Sequence, residues 1–139
     1  DVKDTVMKIK AEVDSICDIQ KVPCHNDPLC ENWVMSGKER MYLIDWEYAG
    51  MNDGFWDLAA TSIEACYEHC HDEMLLAGYL ERSPIQADWK RLLANKLYVD
   101  YLWTLWAKAR VPYDGQPMED WAAERYERLK GNIVQFSEM

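Results

Sequence analysis

Residues 24–57, CHNDPLCENWVMSGKERMYLIDWEYAGMNDGFWD, decide the fold of this chain. Their centre holds two short apolar runs, Trp33–Met35 and Met41–Ile44, joined by the turn-forming segment SGKE, and this pattern predicts a β-hairpin. Polar segments flank the hairpin: HNDPLCEN precedes it and DWEYAGMNDG follows it. We interpret both flanks as loops, which are the usual carriers of functional residues in a domain.

Helices are predicted on both sides of this stretch. Apolar residues recur at three- and four-residue steps over 1–19, which predicts an amphipathic helix, and an extended segment follows at 21–25. The later part of the chain is predicted to form four helices, over 55–70, 72–81, 84–110 and 118–134. Ser83 before Pro84 predicts a helix start, and the loop VPYDGQP separates the last two helices. The predicted fold class is α+β, mainly α, in a single domain over 1–139.

The composition excludes several classes of protein. The chain has 139 residues, 49% of them apolar and 29% charged, with a formal net charge of −10. That length suits one globular domain, and the acidic balance argues against nucleic-acid binding, which needs a Lys/Arg footprint. The sequence contains no apolar run of 18 residues, so it predicts no membrane-spanning helix. The odd number of cysteines, five, without a framework spacing, predicts reduced thiols and a cytoplasmic location.

The polar flanks of the hairpin carry a constellation suited to phosphoryl transfer. Asp27 and Asn32 have the spacing of a kinase catalytic loop, in which the Asp accepts the proton of the substrate hydroxyl and the Asn holds magnesium. Asp45, at the end of the apolar strand, stands where a second magnesium-binding carboxylate completes such a site. Mg²⁺ prefers these oxygen ligands, so Asn32 and Asp45 are the candidate metal ligands and Asp27 the candidate catalytic residue.

At these residues the chain resembles the choline/ethanolamine kinases of the aminoglycoside phosphotransferase-like superfamily. HNDPLCEN at 25–32 and IDWEY at 44–48 match the family's two loop motifs, and AGMNDGFWDLA resembles the bacterial form. The Glu-Tyr pair after the aromatic residue favours choline kinase over antibiotic kinases. Supporting matches are LWTLW at 102–106, and the Asp-Trp-Ala and Arg-Tyr pairs at 120–122 and 125–126. The resemblance covers about residues 20–130.

This resemblance implies a protein-kinase-like C-terminal lobe and a set of site residues. His25 would brace the catalytic loop through hydrogen bonds, Glu47 would support the metal shell, and Asp57 would stabilise the β–α junction. Glu64 falls where the family has an acidic residue near the choline ammonium. The candidate walls of the choline pocket are Trp103, Trp106 and Trp121.

A tryptophan-lined pocket fits choline physically. A quaternary ammonium donates no hydrogen bond and is held by aromatic faces, each contributing about 0.5–2 kcal/mol, with a carboxylate nearby. Trp103 and Trp106 also lie three residues apart on one apolar helix face, so a place in the core is the alternative. The resemblance implies ATP- and Mg²⁺-dependent transfer to the choline hydroxyl, giving phosphocholine. Alternatives are a kinase for ethanolamine or an aminoglycoside, and a non-catalytic choline-binding or interaction module.

Kinases of this type also have an N-terminal lobe that covers ATP with a Gly-rich loop and supplies a Lys. No such glycine cluster precedes His25 in this chain. We therefore expect a C-terminal lobe without its ATP-binding lobe, inactive or nearly so by itself. Its partners are predicted to be a small molecule, neither nucleic acid nor membrane, with self-association through an exposed lobe interface as a further possibility.

Overall fold

The computed structural model describes residues 1–37 and 39–139, so the predicted turn at 36–39 includes one residue, Lys38, outside the described part. The five helices are α1 Val2–Ile16, α2 Gly54–Glu64, α3 His69–Leu80, α4 Gln86–Asp114 and α5 Gln116–Ser137. The four strands are β1 Lys21–Cys24, β2 Trp33–Ser36, β3 Arg40–Leu43 and β4 Gly50–Asp53. The predicted class, α+β and mainly α, is confirmed.

The strands form two antiparallel pairs. The predicted hairpin pairs β2 with β3, with Trp33 opposite Leu43. The second pair joins β1 to β4, with Lys21 opposite Asp53, although residues 45–54 were predicted to be loop throughout. Gly, Asn and Asp are poor strand formers, so β4 owes its conformation to pairing with β1 rather than to its own sequence. This pair sets the start of α2 directly beside the start of β1.

The long helix α4 organises the core because it is buried on two sides. One side meets α1 and α5 in a cluster that comprises Val6, Ile9, Val13, Leu93, Ala94, Leu97, Leu129 and Phe136. The other side meets α2 and α3 in a cluster that comprises Phe55, Ala59, Ala60, Ile63, Leu76, Leu92 and Val99. Each fully buried Leu or Val contributes about 1.5–3 kcal/mol of transfer free energy, so this helix fixes the positions of its neighbours.

Several helix boundaries differ from the predicted ones. The helix predicted over 55–70 ends at Glu64, and Cys66 has a left-handed φ of 52°. Helix α4 continues through Pro112 to Asp114, so the predicted loop reduces to Gly115, whose φ is 73°. Pro112 has no N–H to donate to the carbonyl of Lys108, so the last turn of α4 lacks one helical hydrogen bond.

The start of α4 also differs from the prediction. It begins after Ile85 rather than at Ser83 and Pro84, because the Asp88 carboxylate accepts the Ile85 N–H at 2.8 Å and binds Arg82. This side-chain cap satisfies the first turn.

The junction of β4 and α2 is tied to α4 through one carboxylate. Asp53 caps α2 by accepting the Phe55 N–H at 2.9 Å, and Arg91 of α4 binds both Asp53 oxygens at 2.6 and 3.1 Å. Gly54 follows, and a Cβ there would overlap the Tyr79 hydroxyl. The strand pair that carries the polar loops is thereby held rigidly against the helical core.

Candidate functional site

The loop that follows β1 is held by a carboxylate from α2. Asp57, in the first turn of α2, accepts the backbone N–H groups of His25 at 2.7 Å and of Asn26 at 2.8 Å, one with each oxygen. Hydrogen bonds to a charged acceptor contribute more than neutral ones. The β1–β4 pair brings the loop and the helix start together, so Asp57 fixes the backbone immediately before Asp27.

His25 connects the same loop to the end of the hairpin. Its ring is almost fully buried, with 1% of its surface exposed. Nδ1 accepts the Asp27 N–H at 3.3 Å, and Nε2 therefore carries the proton and donates to the Ile44 carbonyl at 2.8 Å. The ring thus joins the backbone of Asp27 to that of the residue before Asp45.

Asn32 lies opposite Ile44, the residue before Asp45, at the open end of the hairpin. The Ile44 N–H donates to the Asn32 carbonyl at 2.9 Å, and the Asn32 amide donates to the Asp27 carbonyl at 3.1 Å. Since the second bond uses the amide nitrogen and no described residue donates to the Asn32 Oδ1 atom, this oxygen can serve as a ligand. Asp45 is exposed and has a left-handed φ of 64°. An amide oxygen and an exposed carboxylate together fit the oxygen preference of Mg²⁺.

Asp27 lies in an acidic environment. Burial raises the pKa of its carboxyl, the carboxylates of Glu64, Asp45 and Glu47 raise it further, and the His25 ring opposes the shift. Both causes disfavour the charged form. A carboxylate with a raised pKa is a stronger proton acceptor once it is ionised, which is the property a general base needs.

One pocket of about 260 Å³ brings together most of the residues that the sequence singled out for the reaction and its acceptor. Its lining comprises Asp27, Leu29, Glu47, Tyr48, Glu64, Trp103, Trp106, Trp121 and Arg125. Asn32 and Asp45 are not part of this lining and lie at the hairpin end of the catalytic loop. The structure therefore separates a pocket, with Asp27 on its wall, from the pair of candidate metal ligands.

The three tryptophans of the pocket stand edge to face with one another. Their ring centroids are 5.6 Å apart for Trp103 and Trp106, and 6.5 and 6.2 Å from each of these to Trp121. The interplanar angles are 67–80°. Trp106 is exposed on 43% of its surface. The rings form the wall of an open pocket. Trp103 is half-buried and also packs against the core cluster of α2, α3 and α4, so the core alternative describes Trp103 in part, whereas Trp106 is exposed.

Arg125 is a pocket residue to which the sequence assigned no role. It is 5% exposed, its Nη2 donates to Glu64 Oε1 at 2.7 Å, and its guanidinium carbon lies 3.9 Å from the centre of the Trp121 ring. The spacing of Trp121 and Arg125, four residues apart on one helix, is the signal that could have placed them on one face.

Asn26 is a second residue missed at the sequence level. It adopts a φ of 69°, a conformation that Asn tolerates better than most residues. Its amide donates to the Tyr48 carbonyl at 2.8 Å, and its Oδ1 accepts from Asn52 at 2.9 Å. The Trp56 indole donates to its carbonyl at 3.0 Å. Asn26 therefore joins the catalytic loop to the segment after Asp45.

A separate surface group could bind a metal. Candidate ligand atoms of Glu68, Cys70 and His71 lie within 4.8 Å of one another, all exposed, at the start of α3. The Glu68 carboxylate and the His71 Nδ1 are engaged in a reciprocal helix cap. The local hydrogen bonds of a helix start therefore explain this arrangement. All five cysteines are free, in agreement with the predicted reduced thiols.

No helix in the described part of the chain has the length and apolar character needed to cross a bilayer.

The chain matches known proteins along most of its length. A family model described as "Phosphotransferase enzyme family" matches residues 7–94. Protein LicA of Haemophilus influenzae is 33% identical over 114 residues, which cover 78% of this chain and 33% of that protein.

Two solved structures are also similar. A choline/ethanolamine kinase family protein from Mesorhizobium loti has a TM-score of 0.85 at 33% identity, over 98% of this chain and 48% of that one. The choline kinase LicA from Streptococcus pneumoniae has a TM-score of 0.82 at 29% identity, over 96% and 47%. The chain thus spans a third of its curated relative and about half of each solved chain.

Proposed function

Because the chain belongs to the phosphotransferase enzyme family, we propose that it forms the catalytic and acceptor-binding part of a choline kinase. The reaction is ATP-dependent transfer of a phosphoryl group to the choline hydroxyl, giving phosphocholine. One observation carries the proposal: Asp27 lines the same pocket as Glu64 and three tryptophans that stand edge to face. The similarity of nearly the whole chain to a solved choline kinase and to a solved choline/ethanolamine kinase family protein supports it.

The pocket suits a small cation with a hydroxyl group. Trp103, Trp106 and Trp121 present aromatic faces and edges, and a cation over such a face gains about 0.5–2 kcal/mol. Three carboxylates, those of Asp27, Glu47 and Glu64, outnumber the single guanidinium in the lining, so the pocket has an excess of negative charge. A trimethylammonium group bound among the tryptophans would direct the hydroxyl of choline toward Asp27.

In the proposed reaction, Asp27 orients the acceptor hydroxyl and takes its proton. The acceptor oxygen forms a bond to the γ-phosphorus of ATP, the bond from that phosphorus to the bridging oxygen breaks, and ADP leaves. Asn32 and Asp45 would hold Mg²⁺, which neutralises charge on the phosphates when bound. His25, Asp57 and Asn26 hold the backbone of this loop, so Asp27 needs no reorganisation during the transfer.

A nucleotide-binding lobe is part of the proposal. We place it N-terminal to this chain in the full-length gene product, as in the family that the sequence resembles. The length of the relatives, of which this chain covers a third to a half, supports the existence of a further part of that size. Exposed apolar residues of the hairpin region would contact this lobe; they include Met35, Met41, Ile44 and Trp46. The 139 residues alone would then transfer phosphate poorly, and their exposed apolar surface would favour self-association.

The alternative acceptors are distinguished by their chemistry. Ethanolamine carries a primary ammonium that needs hydrogen-bond acceptors, and an aminoglycoside is much larger than a pocket of about 260 Å³. Steady-state rates of the full-length gene product with choline, ethanolamine and kanamycin test the proposal. We expect the highest kcat/KM with choline. A full-length gene product that transfers no phosphoryl group to choline would contradict the assignment. Choline binding without transfer would favour a non-catalytic choline-binding module.

A further inference from the structure

Arg125 is bound to the residues that the proposed function assigns to the acceptor cation. Its guanidinium donates to Glu64 Oε1 at 2.7 Å and covers one face of Trp121 at 3.9 Å. A further ion pair, to the fully buried Asp100, is longer at 3.7 Å. Among the described residues, the Arg125 Nε and Nη1 atoms have no hydrogen-bond partner. The closest contacts of this buried side chain are therefore pocket residues.

These contacts affect the binding of a primary ammonium and of a quaternary ammonium differently. A primary ammonium has three N–H donors that must find acceptors when they leave water. Glu64, the carboxylate beside Trp121, already accepts from Arg125 with its Oε1 atom, so one of its two oxygens is engaged, and aromatic faces supply no lone pair. Of the other two carboxylates in the lining, Asp27 is needed by the acceptor hydroxyl, which leaves Glu47. Arg125 therefore reduces the number of acceptors that a primary ammonium can use. A quaternary ammonium has no N–H group to satisfy, so occupation of Glu64 costs it little while the aromatic faces still attract it.

On the basis of the proposed function, we propose that Arg125 is a specificity-determining residue that makes the pocket select a fully alkylated ammonium over a primary one. Its positive charge repels both kinds of cation alike, so the charge itself does not discriminate between them. The discrimination arises because the guanidinium engages one of the two Glu64 oxygens and holds Trp121 in place by stacking. Lys at this position would keep the charge but lose the planar stacking and the fixed fork of donors.

The experiment uses the full-length gene product and compares kcat/KM for choline with kcat/KM for ethanolamine. In Arg125→Met, Glu64 is freed, and we expect the choline-to-ethanolamine ratio to fall by about tenfold, mainly through a lower KM for ethanolamine. Arg125→Lys is the second variant and should shift the ratio in the same direction by less. Arg82→Met is the matched control, because Arg82 also binds a carboxylate, that of Asp88, at 2.6 and 3.0 Å but shares no partner with Arg125 and is not part of the pocket lining. Its ratio should stay within about twofold of the wild-type ratio.

A purely structural role for Arg125 would lower both substrates' kcat/KM together and leave the ratio unchanged. An unchanged ratio in both Arg125 variants, with the wild type phosphorylating choline, overturns this inference and leaves the proposed function intact. If Arg125→Met does not fold, as judged by its thermal unfolding, the ratio in Arg125→Lys decides. A wild-type protein that phosphorylates neither amino alcohol overturns the proposed function, and the inference with it.

Discussion

The catalytic loop and the tryptophan pocket are built in different ways, although Asp27 belongs to both. The loop is fixed by hydrogen bonds to its backbone. Asp57 accepts hydrogen bonds from two backbone N–H groups, and the His25 ring joins the backbone of Asp27 to that of Ile44. Asp57 lies 32 and 31 residues from His25 and Asn26, and Ile44 lies 19 residues from His25. The pocket wall is fixed by side chains, and its ion pair between Glu64 and Arg125 spans 61 residues.

Because of this difference, mutations in the two regions should change different properties. When a buried or half-buried polar side chain that holds the loop backbone is lost, both the free energy of unfolding and kcat should fall. A wall of aromatic rings tolerates substitution better, because the neighbouring rings remain, and its loss should appear in affinity. The predictions that follow test this contrast between anchoring and binding residues.

The largest effect is expected for Asp27→Asn, which removes the proton acceptor. We predict a fall in kcat of about 10²–10⁴-fold, the usual contribution of a general base, with nearly unchanged KM for choline. Burial raises the pKa of the Asp27 carboxyl, so the folded state binds this proton more tightly than the unfolded state. The ionised carboxylate therefore opposes folding at neutral pH, and the variant should be at least as stable as the wild type there.

This stability comparison has its own pH dependence. The advantage of Asp27→Asn should shrink as pH falls below the raised pKa and vanish below the ordinary pKa of an Asp. Thermal unfolding at several pH values, beside steady-state kinetics, measures both quantities. Asp18→Asn, an exposed carboxylate beyond α1, is the control. Wild-type turnover by Asp27→Asn would remove Asp27 from its proposed role.

Asp57→Ala is expected to damage both stability and activity. It leaves the N–H groups of His25 and Asn26 without their charged acceptor, and each such hydrogen bond contributes about 1.5–3 kcal/mol. We predict a loss of about 3 kcal/mol in the free energy of unfolding, measured in urea, together with a large fall in kcat. Asp57→Asn keeps one acceptor oxygen and should lose less of both. Full activity in Asp57→Ala would show that the loop does not depend on this anchor.

Trp103→Leu should act on affinity rather than on the fold. Removal of one aromatic face costs about 0.5–2 kcal/mol of cation binding, so the KM for choline should rise about tenfold while kcat changes little. Trp89→Leu is a matched control on the same helix, because Trp89 stacks on His69 and does not line this pocket. Equal changes in KM for the two variants would contradict a binding role for Trp103.

The smallest effect is the pH dependence of the wild-type rate. Only ionised Asp27 accepts the proton, so kcat/KM for choline should fall as pH drops through the raised pKa of this carboxyl. The midpoint should lie above that of an ordinary Asp side chain. Glu64→Asn should lower this midpoint, since the Glu64 carboxylate is one of the causes that raise the pKa of Asp27. A midpoint that does not move in Glu64→Asn would show that Glu64 exerts no electrostatic effect on Asp27.

The sequence predicted the loop better than the pocket for a physical reason. Asp27, Asn32 and Asp45 are recognisable by spacing because local turns and one hairpin set their positions. The four-residue spacing places Arg125 on one helix face with Trp121, but its contact with Glu64, 61 residues away in sequence, depends on tertiary packing that no short-range pattern encodes. Strand β4 was missed for the same reason, since its residues favour turns and only the pairing with β1 extends them.

The helix ends show a related lesson. Pro112 suggested a loop, yet α4 continues to Asp114 because its packing against α5 outweighs the lost hydrogen bond. Ser83 suggested a cap, but Asp88 supplies it from inside the helix. Local signals thus gave the number and order of the long helices, whereas side-chain partners decided where the helices begin and end.

The most direct test of the account is a titration of the full-length gene product with choline, followed by tryptophan fluorescence in the presence of Mg²⁺. We predict a saturable change in tryptophan fluorescence with choline that persists in Asp27→Asn and weakens in Trp103→Leu. The change should be smaller with ethanolamine or kanamycin. A change that is equal for all three compounds, or that is unaffected by Trp103→Leu, would contradict the claim that the tryptophan pocket binds the acceptor whose hydroxyl Asp27 activates.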